Sequence, residues 1–183
     1  MPWIDIYNTR RIMDGYEGGP LLVDVGGNRG DDLEIVSQRH AGSSGELYLE
    51  DLPGVIGQAT CDPNIQRVEH NFFEAQPIES ARAYYMHSIL HDWNDSDVLE
   101  ILHGIVRAMK PCYSKLLVNE IVLPSLNAST LDTSVDMQMM IMVSGRERTE
   151  AMFRKLFEKA GLRVDRLWTS GSSVTSIFEC SVP

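Results

Sequence analysis

Apolar residues fall along this chain in short blocks broken by turn-forming residues, and the period within the blocks changes from two to about 3.6 and back. Runs rich in Leu, Val, Ile and Tyr at 21–25, 46–49, 67–72, 83–88 and 115–122 predict strands. Helical or loop segments separate most of them, which is the rhythm of a parallel sheet. The clearest helix covers 95–110, where Val98, Leu102, Ile105, Val106 and Met109 recur at helical spacing behind an Asn94/Asp95 cap and Pro111 ends it. A second helix starts at a Thr149 cap, places Met152, Phe153, Leu156, Phe157 and Ala160 on one face, and ends at Gly161. Two further strand-like runs, 163–169 and 174–182, flank Ser170-Gly-Ser-Ser173 and read as a terminal hairpin. Residues 1–20 mix Pro and Gly with polar residues and read as an irregular lead-in with one helical turn around 10–13, leaving 21–183 as the domain proper.

A chain of 183 residues with 43% hydrophobic content suits a single core. Sixteen basic and twenty-six acidic residues give a net charge of −10 with no basic cluster, so nucleic acid and anionic membranes are poor partners. Cys61, Cys112 and Cys180 are odd in number and lack CxxC spacing, which points to a reduced chain without a zinc knuckle. With no leader and no long apolar run, the expectation is a soluble cytoplasmic protein.

Two segments carry candidate chemistry. In Leu21-Leu-Val-Asp-Val-Gly-Gly-Asn-Arg-Gly30 an apolar run ends in an acid and opens into three glycines, as where a strand turns tightly into a helix. Asn28 stands where the dinucleotide fingerprint has its second glycine, so the loop reads either as a simple turn or as a site for a cofactor without a pyrophosphate. The second segment, Tyr84-Tyr-Met-His-Ser-Ile-Leu-His-Asp-Trp93, is a strand ending just before the best helix. His91 there either caps that helix, hydrogen-bonds in the core, or acts as a general base on the ligand-facing rim. Asp24, Asp51 and Glu120 fall at or just past strand ends on the same rim, and several carboxylates facing a histidine suit a positively charged ligand. His87 and His91 lack a third ligand, so no metal is expected. The triplet Arg146 to Arg148 reads equally well as a solvated helix lead-in, and the methionines at 137, 139, 140 and 142 as core filling or as a soft pocket wall.

In order, the motifs Val23-Asp-Val-Gly-Gly-Asn-Arg-Gly30, Glu50-Asp-Leu-Pro53, Ile89-Leu-His-Asp-Trp93, Val118-Asn-Glu120 and Gly145-Arg-Glu-Arg-Thr149 run through nearly the whole chain. Together they resemble the catalytic domain of plant and fungal S-adenosylmethionine-dependent O-methyltransferases of the caffeate and flavonoid type, most of all the fungal secondary-metabolism branch. The resemblance implies an α/β, Rossmann-like class I methyltransferase fold: a mostly parallel seven-stranded sheet, helices on both faces, and a C-terminal antiparallel hairpin. It implies S-adenosylmethionine as cofactor, held by Asp24, Gly26, Gly27, Gly30, Asp51, Asn71, Phe72, His87 and Asp92, with Asp51 on the ribose hydroxyls. His91 would be the general base, flanked by Glu120 and Glu147, and Met139 would line the pocket of a small aromatic or polyketide-type acceptor. The alternative function is a cofactor-binding relative that does not methylate: a rearrangement or cyclisation catalyst, or a partner subunit.

The sequence departs from that family at three points. His70-Asn71-Phe72 puts an amide where members usually have a carboxylate, and His87 stands where many have Lys or Arg. The N-terminal helical domain of the family is not in this sequence, so a homodimer or a partner supplying that domain is the expected association.

Overall fold

The strand-like runs assemble into one twisted sheet, seen in a computed structural model that describes residues 2–42, 45–124, 147–171 and 173–183. Strands β1 (Pro20–Val25), β2 (Glu46–Asp51), β3 (Gln66–Glu69), β4 (Ala83–His87) and β5 (Lys115–Leu123) are parallel. A two-residue strand, β6 (Arg148–Thr149), runs parallel to the end of β5, with Val122 opposite Arg148. Strands β7 (Arg163–Trp168) and β8 (Thr175–Ser181) are antiparallel to each other, and β8 is antiparallel to β5. The order β3-β2-β1-β4-β5-β8-β7 reverses direction between β1 and β4, and a crevice opens there at the carboxyl ends of the strands.

Among the described residues the helices are α1 (Arg10–Met13), α2 (Asp31–Arg39), α3 (Pro53–Ile56), α4 (Asp95–Ala108) and α5 (Glu150–Lys159), with short 3₁₀ turns at Trp3–Asp5 and Leu90–Asp92. Two caps fall where the sequence puts them. Asn94 Oδ1 accepts the Ser96 and Asp97 amides at 2.9 and 3.2 Å, and Thr149 Oγ1 accepts that of Met152 at 3.4 Å.

Because side chains alternate across a strand, neighbouring residues feed opposite cores. Val23, Tyr84, Leu116 and Phe178 pack beneath α4 and α5. Leu22, Tyr85, Leu117 and Ile177 pack against Leu33 and Val36 of α2 and against residues 3–12. This continuously apolar pattern is what a sheet covered on both faces requires. Mostly parallel, with an antiparallel C-terminal pair and helices on both sides, it is the architecture the sequence leads one to expect.

Two details differ from the sequence reading. Residues 67–72 were expected to stay extended to Phe72, but β3 stops at Glu69. The His70 amide still bonds Asp51 O at 2.9 Å, and then the Asn71 side chain accepts the Phe73 amide at 3.2 Å and turns the chain. The lead-in is also part of the core. Trp3 stacks on Tyr85 with centroids 4.3 Å apart, and Tyr7 and Ile12 are buried. The buried Arg82 guanidinium reaches the carbonyls of Ile12 and Asp14 at 3.1 and 2.5 Å, and Arg11 meets the buried Glu179 carboxylate at 3.1 Å. Side-chain bonds of this kind, rather than regular secondary structure, seat the segment on the sheet.

Candidate active site

The crevice begins with the turn after β1. Gly26 and Gly27 both donate their amides to Glu50 O of β2, at 2.8 and 3.0 Å, so the turn is tied to the neighbouring strand. Gly26 has φ +72°, and a Cβ there would lie 2.7 Å from Ile89 Cδ1. At Gly27 a Cβ would lie 2.5 Å from Asp24 Cγ, so the chain passes too close to that carboxyl for any side chain. Gly30, at φ 88°, is the N-cap of α2. Asn28, at φ 54°, takes a left-handed conformation that asparagine tolerates, and donates its amide to Asp51 Oδ2 at 2.9 Å. The other oxygen of Asp51 accepts the Leu52 amide at 2.7 Å.

This turn roofs a cleft of about 500 Å³ lined by Asp24, Gly26, Gly27, Asn28, Asp31, Asp32, Asp51, Val55, His87, Ser88 and Ile89. Among the described residues, four carboxyl groups and no Lys or Arg line it. Asp24 is buried and its Oδ2 has no hydrogen-bond partner among the described residues, which a cationic ligand group would supply. Burial pushes its carboxyl well above the usual range, and the charges of Asp32, Asp51 and Glu50 add to the effect. Behind it, burial raises Glu50 to about 7, opposed by the Gln76 amide that donates to it at 2.9 Å. His87 Nδ1 sits 2.6 Å from Asp32 Oδ2, which also accepts the Tyr85 hydroxyl at 3.3 Å.

Next to the cleft, the 3₁₀ turn between β4 and α4 presents His91. Its Nδ1 lies 2.8 Å from Glu120 Oε2, while Glu120 Oε1 accepts the Ile89 and Leu90 amides at 2.9 and 2.6 Å. Glu120 is fully buried, on the register of β5 that faces this turn. A carboxylate only accepts, so the bond puts a hydrogen on Nδ1 and leaves Nε2 as the nitrogen that gains or loses the second proton. Asp92 Oδ1 stands 3.3 Å from Nε2. Burial opposes protonation of His91, but the hydrogen bond and charge of Glu120 outweigh it with help from Asp92 and the buried Glu147, so its pKa is raised.

The structure thus gathers Asp24, Gly26, Gly27, Asp51 and His87 around one cleft, and His91, Glu120 and Glu147 beside it. Asp92 contacts His91 and is not in the cleft lining. Phe72 is edge-on to Trp93 with centroids 5.9 Å apart, and Asn71 spends its side-chain oxygen on the Phe73 amide. Met139 and the other methionines of 137–142 lie outside the described residues. Of the two readings left open for its triplet, Arg148 does not fit the solvated lead-in. It is buried, with Nη1 and Nη2 donating to Leu90 O and Trp93 O, both at 2.7 Å, because the pairing of β6 with β5 carries it under the His91 turn. Asp32 and Glu50 were missed as well. Each looks like an ordinary helix-start or strand-end acid in sequence, and only the fold brings Asp32 to the cleft and buries Glu50 behind Asp24.

A family profile described as an O-methyltransferase domain matches residues 7–163. The chain belongs to that family. It is 40% identical over 181 residues to O-methyltransferase mfmE of Annulohypoxylon moriforme, covering 98% of this chain and 45% of the relative. It is 42% identical over 172 residues to O-methyltransferase penC of Penicillium thymicola, covering 92% and 43%. The chain therefore spans about half the length of the curated relatives it matches. Among solved structures, OxaC in complex with SAH and oxaline superimposes with a TM-score of 0.91 at 27% identity, covering 98% of this chain and 47% of that one. LepI in complex with SAM gives 0.90 at 29% identity, covering 97% and 47%. A structure described as a pericyclic reaction enzyme gives 0.90 at 28%, covering the same shares. Among the described residues no helix is long and apolar enough to cross a membrane, and no three His, Cys, Asp or Glu side chains converge as metal ligands.

Proposed function

We propose that this chain transfers a methyl group from S-adenosylmethionine to a hydroxyl of a small aromatic or polyketide-type metabolite, with His91 as general base. The observation that carries the reading is the His91–Glu120 bond of 2.8 Å on the rim of an acid-lined cleft. Bound there, S-adenosylmethionine supplies an electrophilic methyl on a sulfonium. The cleft suits that cation. Asp24 has a buried oxygen to offer, the turn at Gly26 and Gly27 lets a ligand approach the backbone, Asp51 faces the same space for the ribose hydroxyls, and Asp32 orients His87.

A phenol with an ordinary pKa of about 10 is a weak nucleophile at neutral pH. His91 Nε2 takes the hydroxyl proton as the oxygen attacks, and the imidazolium is stabilised by Glu120, Asp92 and Glu147. Glu120 holds both the tautomer and the ring orientation. Its second oxygen is locked by two backbone amides, so the carboxylate cannot swing away. Similarity to named fungal O-methyltransferases and to structures holding SAM or SAH supports the reading.

Likeness to a pericyclic reaction enzyme favours a second reading, in which the chain binds the cofactor but rearranges its substrate. Calorimetric titration with S-adenosylmethionine, followed by incubation with methyl-labelled cofactor and a panel of phenols and enols, separates the two. Label in a product supports methyl transfer. Turnover that proceeds equally well with S-adenosylhomocysteine, which has no methyl to give, would support the second reading instead.

A further inference from the structure

The turn that carries His91 is held mainly from outside itself. Between the left-handed Ser88 (φ 56°) and the Asn94 cap, its own hydrogen bonds are long: the Asp92 amide to Ile89 O at 3.3 Å and the Trp93 amide to Leu90 O at 3.4 Å. Such distances lie at the weak edge of N–H···O geometry. The shorter bonds come from two other elements. Glu120 accepts the amides on one side, at 2.9 and 2.6 Å. Arg148 donates to the carbonyls of Leu90 and Trp93, which bracket His91 and Asp92, at 2.7 Å each. Leu90 O is thus bound more closely by Arg148 than by the turn's own Trp93 amide.

The Arg148 side chain is fully shielded from solvent. Its Nη2 and Nε also meet Asp95 Oδ1 at 3.0 and 3.2 Å, so one planar fork joins two carbonyls of the turn and an acid at the start of α4. A guanidinium is costly to bury unless its donors are met, and here three backbone or carboxylate groups meet them. Arg148 is also the neighbour of Glu147, and it pairs in register with Val122, two residues beyond Glu120 on β5. One residue therefore links three parts of the rim: its backbone pairs with the end of β5 beyond Glu120 and continues from Glu147, and its side chain grips the turn bearing His91.

We propose that Arg148 is a positioning residue that holds the His91 turn against Glu120, keeping the imidazole in register with its carboxylate and Nε2 at the rim. The proposal rests on the reading of His91 as general base for its effect on turnover. Its geometric content does not depend on that reading. Lysine would bring a charge but no fork, and methionine would bring the bulk but no donor.

The test uses Arg148→Lys and Arg148→Met in the full chain, with three readouts: cofactor affinity by calorimetry, the pH dependence of kcat and KM, and the titration of the His91 imidazole by NMR. The expected result is a folded Arg148→Lys protein with unchanged cofactor affinity and a kcat lowered about 100-fold, the scale of a small misplacement of a reacting group. The acid limb of its pH profile and its His91 titration should both move down toward the ordinary histidine value. A His91 titration unmoved in folded Arg148→Lys would overturn the proposal, whatever happens to turnover. Lost turnover with an unmoved pH profile would also overturn it, because general destabilisation does that. A moved titration in a chain whose wild type shows no methyl transfer would support the positioning role while removing the general-base reading. If Arg148→Met does not fold, the lysine variant decides.

Discussion

Replacing Glu120 by Gln tests the organisation of the rim with the smallest change of shape. The wild-type carboxylate accepts three hydrogens: two backbone amides at 2.9 and 2.6 Å and His91 Nδ1–H at 2.8 Å. A glutamine oxygen can keep the two amides, and its NH₂ then faces Nδ1. Two donors cannot share that contact, so His91 must move its hydrogen to Nε2 and offer Nδ1 as acceptor. The nitrogen on the rim would then carry a hydrogen and could no longer take one. General acid–base catalysis contributes about 10²–10⁴-fold, and a wrong-tautomer histidine in a serine-protease triad costs ~10⁴. Glu120→Gln should therefore lower kcat within that range while leaving cofactor affinity intact, since Glu120 does not line the cleft. Two pH effects accompany it. The raised pKa of His91 means activity is lost as pH falls through that value, and without the carboxylate the acid limb moves down. In the wild type, a raised histidine pKa contributes stability fully present below the unfolded value and lost as pH rises through the folded one, and this contribution disappears in Glu120→Gln. Steady-state kinetics across pH, with thermal melts alongside, provide the assay. A Glu120→Gln protein with wild-type kcat and an unshifted acid limb would mean that Glu120 does not set the tautomer or basicity of His91.

Gly27→Ala places a methyl 2.5 Å from Asp24 Cγ and 2.6 Å from Leu49 Cδ1, and should cost about 1–3 kcal/mol in denaturant melts along with cofactor binding. Glu50 has its pKa raised to about 7 by burial, so it destabilises the fold as pH rises from the unfolded value through 7. Glu50→Gln should flatten that dependence and gain at most ~3 kcal/mol at pH 8, read from melts between pH 5 and 8. Trp3→Ala should cost about 3–5 kcal/mol in chemical denaturation if the lead-in is core, and close to nothing if it is a solvated tail.

The fold was legible because its signals are local and repeated. The apolar runs, the Asn94 and Thr149 caps and the Ser170 to Ser173 break each fix an element by themselves, and their order allows few topologies. The lead-in was less legible because Trp3, Tyr7 and Ile12 follow no single period. Their segment is tied down at Ile12 by Arg82 and at Arg11 by Glu179, partners 70 and 168 positions away in sequence. The rim was readable where chemistry and strand ends coincide, as at Asp24, Asp51, His91 and Glu120. It was unreadable at Arg148, whose flanking charges look solvated until β6 pairs with β5. Asp32 and Glu50 were hidden in the same way, as acids whose role depends on which neighbour the sheet gives them.

The most direct test of the central claim is single-turnover methyl transfer at saturating labelled S-adenosylmethionine and acceptor, comparing wild type with His91→Ala after confirming equal cofactor affinity. Label should appear in the wild-type product, with a loss of about 10²–10⁴-fold in the variant. Transfer at the wild-type rate by His91→Ala would contradict it.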